Sequence, residues 1–77
     1  MNSSKIVLYT IDSRYCSEAK ALLKSQGLDF LEIPVVSRDD HNNIKYKYPG
    51  VRTFPVIVID DVWIGGLTNL MQWIQKT

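Results

Sequence analysis

Cysteine is almost absent from this chain. A single residue, Cys16, cannot form an internal bridge, which excludes the small secreted folds held together by disulfides. Long apolar runs are absent too. None approaches the ~20 residues that span a bilayer, so no membrane association is expected. The opening residues, Met1-Asn2-Ser3-Ser4-Lys5, lack the apolar h-region of a secretory signal, and a reducing, cytoplasmic setting is the expectation. Neither sign of charge dominates. Nine basic against eight acidic residues, net +1, leave no electrostatic footprint for nucleic acid or an acidic surface. Histidine occurs once. His41 sits in a polar stretch with no cysteine or carboxylate set at metal-ligand spacing, so it reads as a surface loop residue and no metal is expected. Repeats, linkers and low-complexity segments are also missing.

What remains is a chain with 45% hydrophobic residues, enough to supply one small core. Seventy-seven residues form a single domain, 1–77, that buries about 60–65% of its unfolded surface. Lys5 to Thr10 reads as a strand, apolar on both faces around Ile6-Val7-Leu8 and so central and covered on both sides. A helix is expected from Ser13 or Arg14 to about Ser25, with Cys16, Ala19, Leu22 and Leu23 recurring on one face and Gly27 at its C′ position. Leu28 to Val36 reads as a second strand. One helix between two strands makes them parallel, with a right-handed crossover. Ser37 to Asp40 is a polar break, followed by a weakly patterned helix from about Asp40 to Tyr48. Its sheet-facing residues are expected to be Ile44 and one or more of Tyr46 and Tyr48.

Phe54 to Asp60 reads as a third strand. The two aspartates Asp60-Asp61 are too short for a crossover, so Val62-Trp63-Ile64 should return antiparallel. Thr68 or Asn69 is expected to cap a last helix ending near Lys76, with Leu67, Leu70, Met71 and Ile74 on its core face. Trp63 and Trp73 read as packing residues. The order βαβαββα is an α/β arrangement: a four-stranded mixed sheet with helices on both faces, the minimal thioredoxin-like fold.

The strand-to-helix turn Tyr9-Thr10-Ile11-Asp12-Ser13-Arg14-Tyr15-Cys16 is where such a domain keeps its chemistry, because a helix N-terminus offers free N–H groups and partial positive charge. The frame Tyr15-Cys16-x-x-Ala19-Lys20, the strand ending Tyr9-Thr10, the triplet Thr53-Phe54-Pro55 and the run Ile64-Gly65-Gly66 occur in the order found in glutaredoxins. Across nearly its whole length the chain resembles that family. Its active-site turn reads Cys-Pro-Tyr-Cys, followed two residues later by Ala-Lys, and its proline triplet reads Thr-Val-Pro.

The resemblance implies glutathione-coupled thiol–disulfide exchange, an electron-transport function, with glutathione as reducing co-substrate and disulfide-containing proteins as partners of a monomer. It places Ser13 at the position of the nucleophilic first cysteine and Cys16 at that of the resolving one. A hydroxyl cannot replace a thiolate in this chemistry, so Ser13 is read as a helix N-cap and the chain as impaired or inactive. Cys16 reads as a half-buried apolar side chain or as a surviving redox thiol. Glutathione or a peptide is expected along Arg14, Tyr15, Thr53, Phe54, Pro55, Gly65, Gly66 and Thr68, with Pro55 in the cis form. Two alternatives stand beside this: a non-catalytic glutathione- or peptide-binding module, and a one-thiol enzyme using Cys16. Three further departures bear on the site. Only Ile11-Asp12 separate Tyr9-Thr10 from the frame, where the family has three residues, and the shorter loop offers a way to expose Cys16. The family's lysine for a glutathione carboxylate is Ile11 here. Thr68 and Asn69 carry no charge where the family has an acid for the tripeptide's ammonium.

Overall fold

The computed structural model describes residues 4–76. Met1 to Ser3, in the opening stretch read above, and Thr77 lie outside the described residues. Strand β1 (Ile6–Thr10) leads into helix α1 (Arg14–Ser25), then β2 (Leu31–Pro34), α2 (Arg38–Lys47), β3 (Val56–Ile59), β4 (Val62–Gly65) and α3 (Leu67–Lys76). The sheet order is β2-β1-β3-β4. β1 and β2 are parallel, in the register Val7 to Leu31 and Tyr9 to Ile33. β3 runs antiparallel to both β1 and β4. This is the expected topology of the minimal thioredoxin-like fold.

Alternation along β1 and β3 builds two cores. Ile6, Leu8, Ile57 and Ile59 face α1 and α3, where they meet Ala19, Leu23 and Leu70. Val7, Val56 and Val58 face the other way, toward Ile44 of α2, Val35 and Val51. The central strands are therefore apolar on both sides because a helix layer covers each face. Leu8, Leu23, Ile57 and Leu70 are fully enclosed, and truncating any of them to alanine costs about 2–5 kcal/mol. The β3–β4 turn is built on two left-handed residues, Asp60 (φ 51) and Asp61 (φ 67), which match the twist of a two-residue hairpin. Asp60 Oδ1 also accepts a 2.8 Å bond from the Lys5 N–H.

Several boundaries differ from the sequence expectation. β2 is four residues long rather than nine. Leu28 and Phe30 pack into the α1/α3 core before the strand begins, and Leu31 and Ile33 are exposed on an edge strand. α2 starts two residues earlier than expected. The Ser37 hydroxyl accepts from the Asp40 N–H at 3.1 Å, and the Asp40 carboxylate accepts from the Ser37 and Val36 N–H groups, a reciprocal cap. These N–H groups hold the Asp40 carboxyl below its ordinary pKa. Within α2, Ile44 is buried and Tyr46 is exposed, while Tyr48 packs on the sheet beside Tyr9 and Trp63. β3 starts at Val56, directly after the cis Phe54-Pro55 peptide, and not at Phe54 as the apolar run predicts. α3 begins at Leu67, so Thr68 and Asn69 lie inside its first turn rather than before it. Met71 is exposed, and Trp73 takes its place against the core with Leu67, Leu70 and Ile74.

Candidate functional site

Two depressions flank the N-terminus of α1. The first, a groove of about 440 Å³, lies between that helix, the Thr53-Phe54-Pro55 turn and the start of α3. It is lined by Tyr15, Thr53, Phe54, Pro55, Gly66, Leu67, Thr68 and Asn69. The second, of similar size, lies on the opposite side, between the β1–α1 loop and β2. Thr10, Ile11, Ser13, Ser17, Lys20 and Glu32 are among its walls.

The groove's floor is set by the cis Phe54-Pro55 peptide. It turns the chain sharply into β3 and leaves the Phe54 main chain at the groove with no hydrogen bond among the described residues. The Phe54 ring is held by His41, whose imidazole meets it edge-on with centroids 5.4 Å apart. His41 is therefore a half-buried residue of α2 and not part of a surface loop. On the far wall, Gly65 has φ +126, a conformation closed to other residues, and a Cβ there would run into the Asn69 amide. That amide carries the turn: Asn69 Oδ1 accepts from the Gly66 N–H at 3.3 Å. The first residues of α3, Leu67 to Asn69, line the same groove, and the first N–H groups of a helix have no intrahelical partner.

Ser13 is the N-cap of α1. Its backbone is extended (φ −150, ψ 158), and its hydroxyl accepts from the Cys16 N–H at 3.3 Å. Its carbonyl accepts from the Ser17 N–H at 3.2 Å. Cys16 lies one turn in, on the inner face, 1% exposed. The shortened loop does not expose this thiol, and it lines neither depression. Ile11 turns inward onto the α2-side core. The second depression carries its own charge network. Thr10, only 3% exposed, donates its hydroxyl to Glu32 Oε2 at 2.8 Å, and Lys20 Nζ donates to the same oxygen at 3.1 Å. The Thr10 hydroxyl first, and Lys20 after it, hold the Glu32 carboxyl below its ordinary pKa.

Of the residues singled out in the sequence, Tyr15, Thr53, Phe54, Pro55, Gly66 and Thr68 come together in the groove. Arg14 points to solvent beside Glu18, Gly65 supports the rim from behind, and Ser13 faces the second depression. Asn69, which the resemblance places beside Thr68 at the tripeptide's ammonium end, also lines the groove, and Leu67 is a lining residue that sequence reasoning missed, assigning it only to the core face of α3. The sequence signal for Leu67 as a lining residue is its place just after the glycine pair. Among the described residues there is no group of three or more His, Cys, Asp or Glu side chains able to hold a metal, and no helix long and apolar enough to cross a membrane.

Residues 6–64 match the family model described as Glutaredoxin. This chain belongs to the glutaredoxin family. It is 37% identical over 68 residues to glutaredoxin 3 of Escherichia coli (strain K12), a match spanning 87% of this chain and 82% of that protein. Among solved structures, glutaredoxin 1 from Francisella tularensis, complexed with cacodylate, superposes with a TM-score of 0.81 at 27% identity, covering 95% of this chain and 94% of the other. A buckwheat glutaredoxin–glutathione complex superposes with a TM-score of 0.79 at 26% identity, covering 97% of this chain and 72% of the other. Family and fold together are those of a thiol–disulfide oxidoreductase.

Proposed function

We propose that this glutaredoxin is a glutathione-linked thiol–disulfide oxidoreductase by lineage in which Ser13 stands at the nucleophile's position, leaving the chain inactive or strongly impaired. Its partners are glutathione and disulfide-bearing proteins, and it acts as a cytoplasmic monomer. The observation that carries the reading is the placement of its one thiol. Cys16 is 1% exposed and lines neither depression, while the helix N-cap that would activate a thiolate bears a hydroxyl.

A thiolate at that N-cap is stabilised by the free N–H groups and the helix dipole. It attacks one sulfur of a disulfide and displaces the other as a thiolate, so bonds and electrons balance within the exchange. A serine hydroxyl stays protonated at neutral pH and forms no such bond. Ser13 instead contributes as a cap, about 1 kcal/mol.

The groove suits glutathione in shape. The unpaired Phe54 main chain can pair with an extended peptide, and the α3 N-terminus can receive a carboxylate. When bound, glutathione supplies the thiol that reduces a mixed disulfide; the chain's part is to hold it extended along the groove. A second reading, a binding module that holds glutathione or a peptide without turnover, is favoured by the same observation, since no thiol lines the groove. The burial of Cys16 speaks against the one-thiol enzyme.

The test is glutathione-dependent reduction of a small mixed disulfide by this chain and by its Ser13→Cys variant. The expected result is background rate for the chain and turnover for the variant. Turnover by the unaltered chain would overturn the reading. Binding without turnover by either would leave the binding module.

A further inference from the structure

Helix α2 contributes no residue to the groove's lining, yet it reaches the groove's floor through one ring pair. The path begins at the reciprocal cap. Besides its side-chain exchange with Asp40, Ser37 accepts the His41 N–H on its carbonyl at 3.1 Å, which fixes His41 in the first turn of α2. His41 and Ile44 are three residues apart and so share one side of the helix. Ile44 is buried in the valine core, and the His41 imidazole on the same side meets the Phe54 ring edge-on, with centroids 5.4 Å apart. Phe54 packs on that core as well. Its main chain is left at the groove without a hydrogen bond among the described residues. The adjoining Pro55 carbonyl abuts the far rim, 3.6 Å from where a Cβ on Gly66 would stand. A ring held from α2 therefore restrains the main chain of the floor. A site whose main chain is already set loses less freedom when a ligand binds.

Resting on the reading of the groove as a peptide site, we propose that His41 is a positioning residue: through the Phe54 ring, its imidazole holds the groove's floor in the conformation that receives an extended peptide. His41 is not itself a lining residue. Its effect is on affinity, and it requires a ring at position 54.

The experiment measures binding of S-methylglutathione, an unreactive thioether, by calorimetry at fixed pH. The proteins are the unaltered chain, His41→Ala, Phe54→Leu and the double variant, which together form a double-mutant cycle. His41→Ala should weaken binding about three- to tenfold, the span that an aromatic pair can couple. His41→Leu, which keeps apolar bulk but no ring, should weaken it equally, and it serves in the cycle if His41→Ala does not fold in urea titrations. His41→Phe keeps a ring edge and should bind within about twofold of the unaltered chain. In the Phe54→Leu background there is no ring to hold, so the same His41 substitution should change affinity by less than about twofold. A purely structural His41 would lower the urea midpoint and leave affinity unchanged, which would overturn the inference. An equal loss of affinity in both backgrounds would overturn it too, because His41 would then act by a route other than Phe54. Both results leave the peptide-site reading standing. No binding by the unaltered chain up to about 10 mM would overturn the groove as a peptide site, and the inference with it.

Discussion

The two depressions beside α1 are alike in size and opposite in chemistry. In the groove, polar groups at the surface are main-chain edges and one helix start that the fold leaves unpaired. In the second depression, three of the polar side chains are matched to one another: Thr10 and Lys20 both donate to one oxygen of Glu32. Unpaired main-chain groups invite a ligand, because an incoming peptide satisfies them at little conformational cost. A closed ion pair with a buried hydroxyl is structural, because a ligand would have to break it first. The same helix end thus has a receptive side and a satisfied side. Substitutions on the receptive side should change binding and chemistry, and those on the satisfied side should change stability.

The sharpest way to break this comparison is at the wall between them. Ser13→Cys should raise disulfide-exchange turnover by on the order of 10³-fold, with the cap contribution reduced, as read by the rate assay and by urea unfolding. If turnover stays at background although S-methylglutathione still binds, a thiol at the N-cap does not reach the groove. Next in size is the reactivity of Cys16. Burial makes alkylation by iodoacetamide wait for an opening of the fold, so the native rate should fall at least about a hundredfold below that in urea. A native rate equal to the denatured one would restore Cys16 as a candidate nucleophile. Smaller again is Gly65→Ala. Its backbone at φ +126 and the crowding of Asn69 predict a loss of about 1–3 kcal/mol together with weaker binding in the groove, since Asn69 and Gly66 are both lining residues. Undiminished binding would show that this rim is dispensable.

Topology was legible because the strongest signals lie at the centre of the sheet. Ile6-Val7-Leu8 and Val56 to Ile59 are apolar on both faces and admit one placement, and the two-residue Asp60-Asp61 link admits only a hairpin. Edges were less legible. β2 keeps just four paired residues because Leu28 and Phe30 are drawn into the α1/α3 core. That decision is made by helices distant in sequence. In α3, Met71 and Trp73 flank the same apolar stripe, and periodicity alone does not say which one the core admits. The start of α2 was encoded locally, in Ser37 and Asp40, but as a reciprocal side-chain exchange that hydrophobic pattern cannot detect. The groove shows the same division. Its Thr53-Phe54-Pro55 and Gly65-Gly66 borders were visible through resemblance. The support of Phe54 by His41 from α2 depends on packing between segments with no shared pattern. The Thr10–Glu32–Lys20 network left no sequence signature, since its members are 12 and 22 residues apart.

That network supplies the smallest and most discriminating test. The Glu32 carboxyl is held below its ordinary pKa of about 4.5, chiefly by the Thr10 hydroxyl, so its ionised form stabilises the fold. The contribution is present above that ordinary value and is lost as pH falls through the lower folded one. Glu32→Gln should therefore cost about 0.5–1 kcal/mol at neutral pH, in the range for a partly exposed, hydrogen-bonded ion pair. The difference from the unaltered chain should shrink as pH falls below about 4.5, and at neutral pH it should shrink with added salt. Urea unfolding across that range reads it directly. Affinity for S-methylglutathione should stay unchanged throughout, because Glu32 lines only the second depression. A Glu32→Gln variant that keeps full stability but loses affinity would reverse the assignment: the satisfied side of α1 would then be the one that takes a ligand.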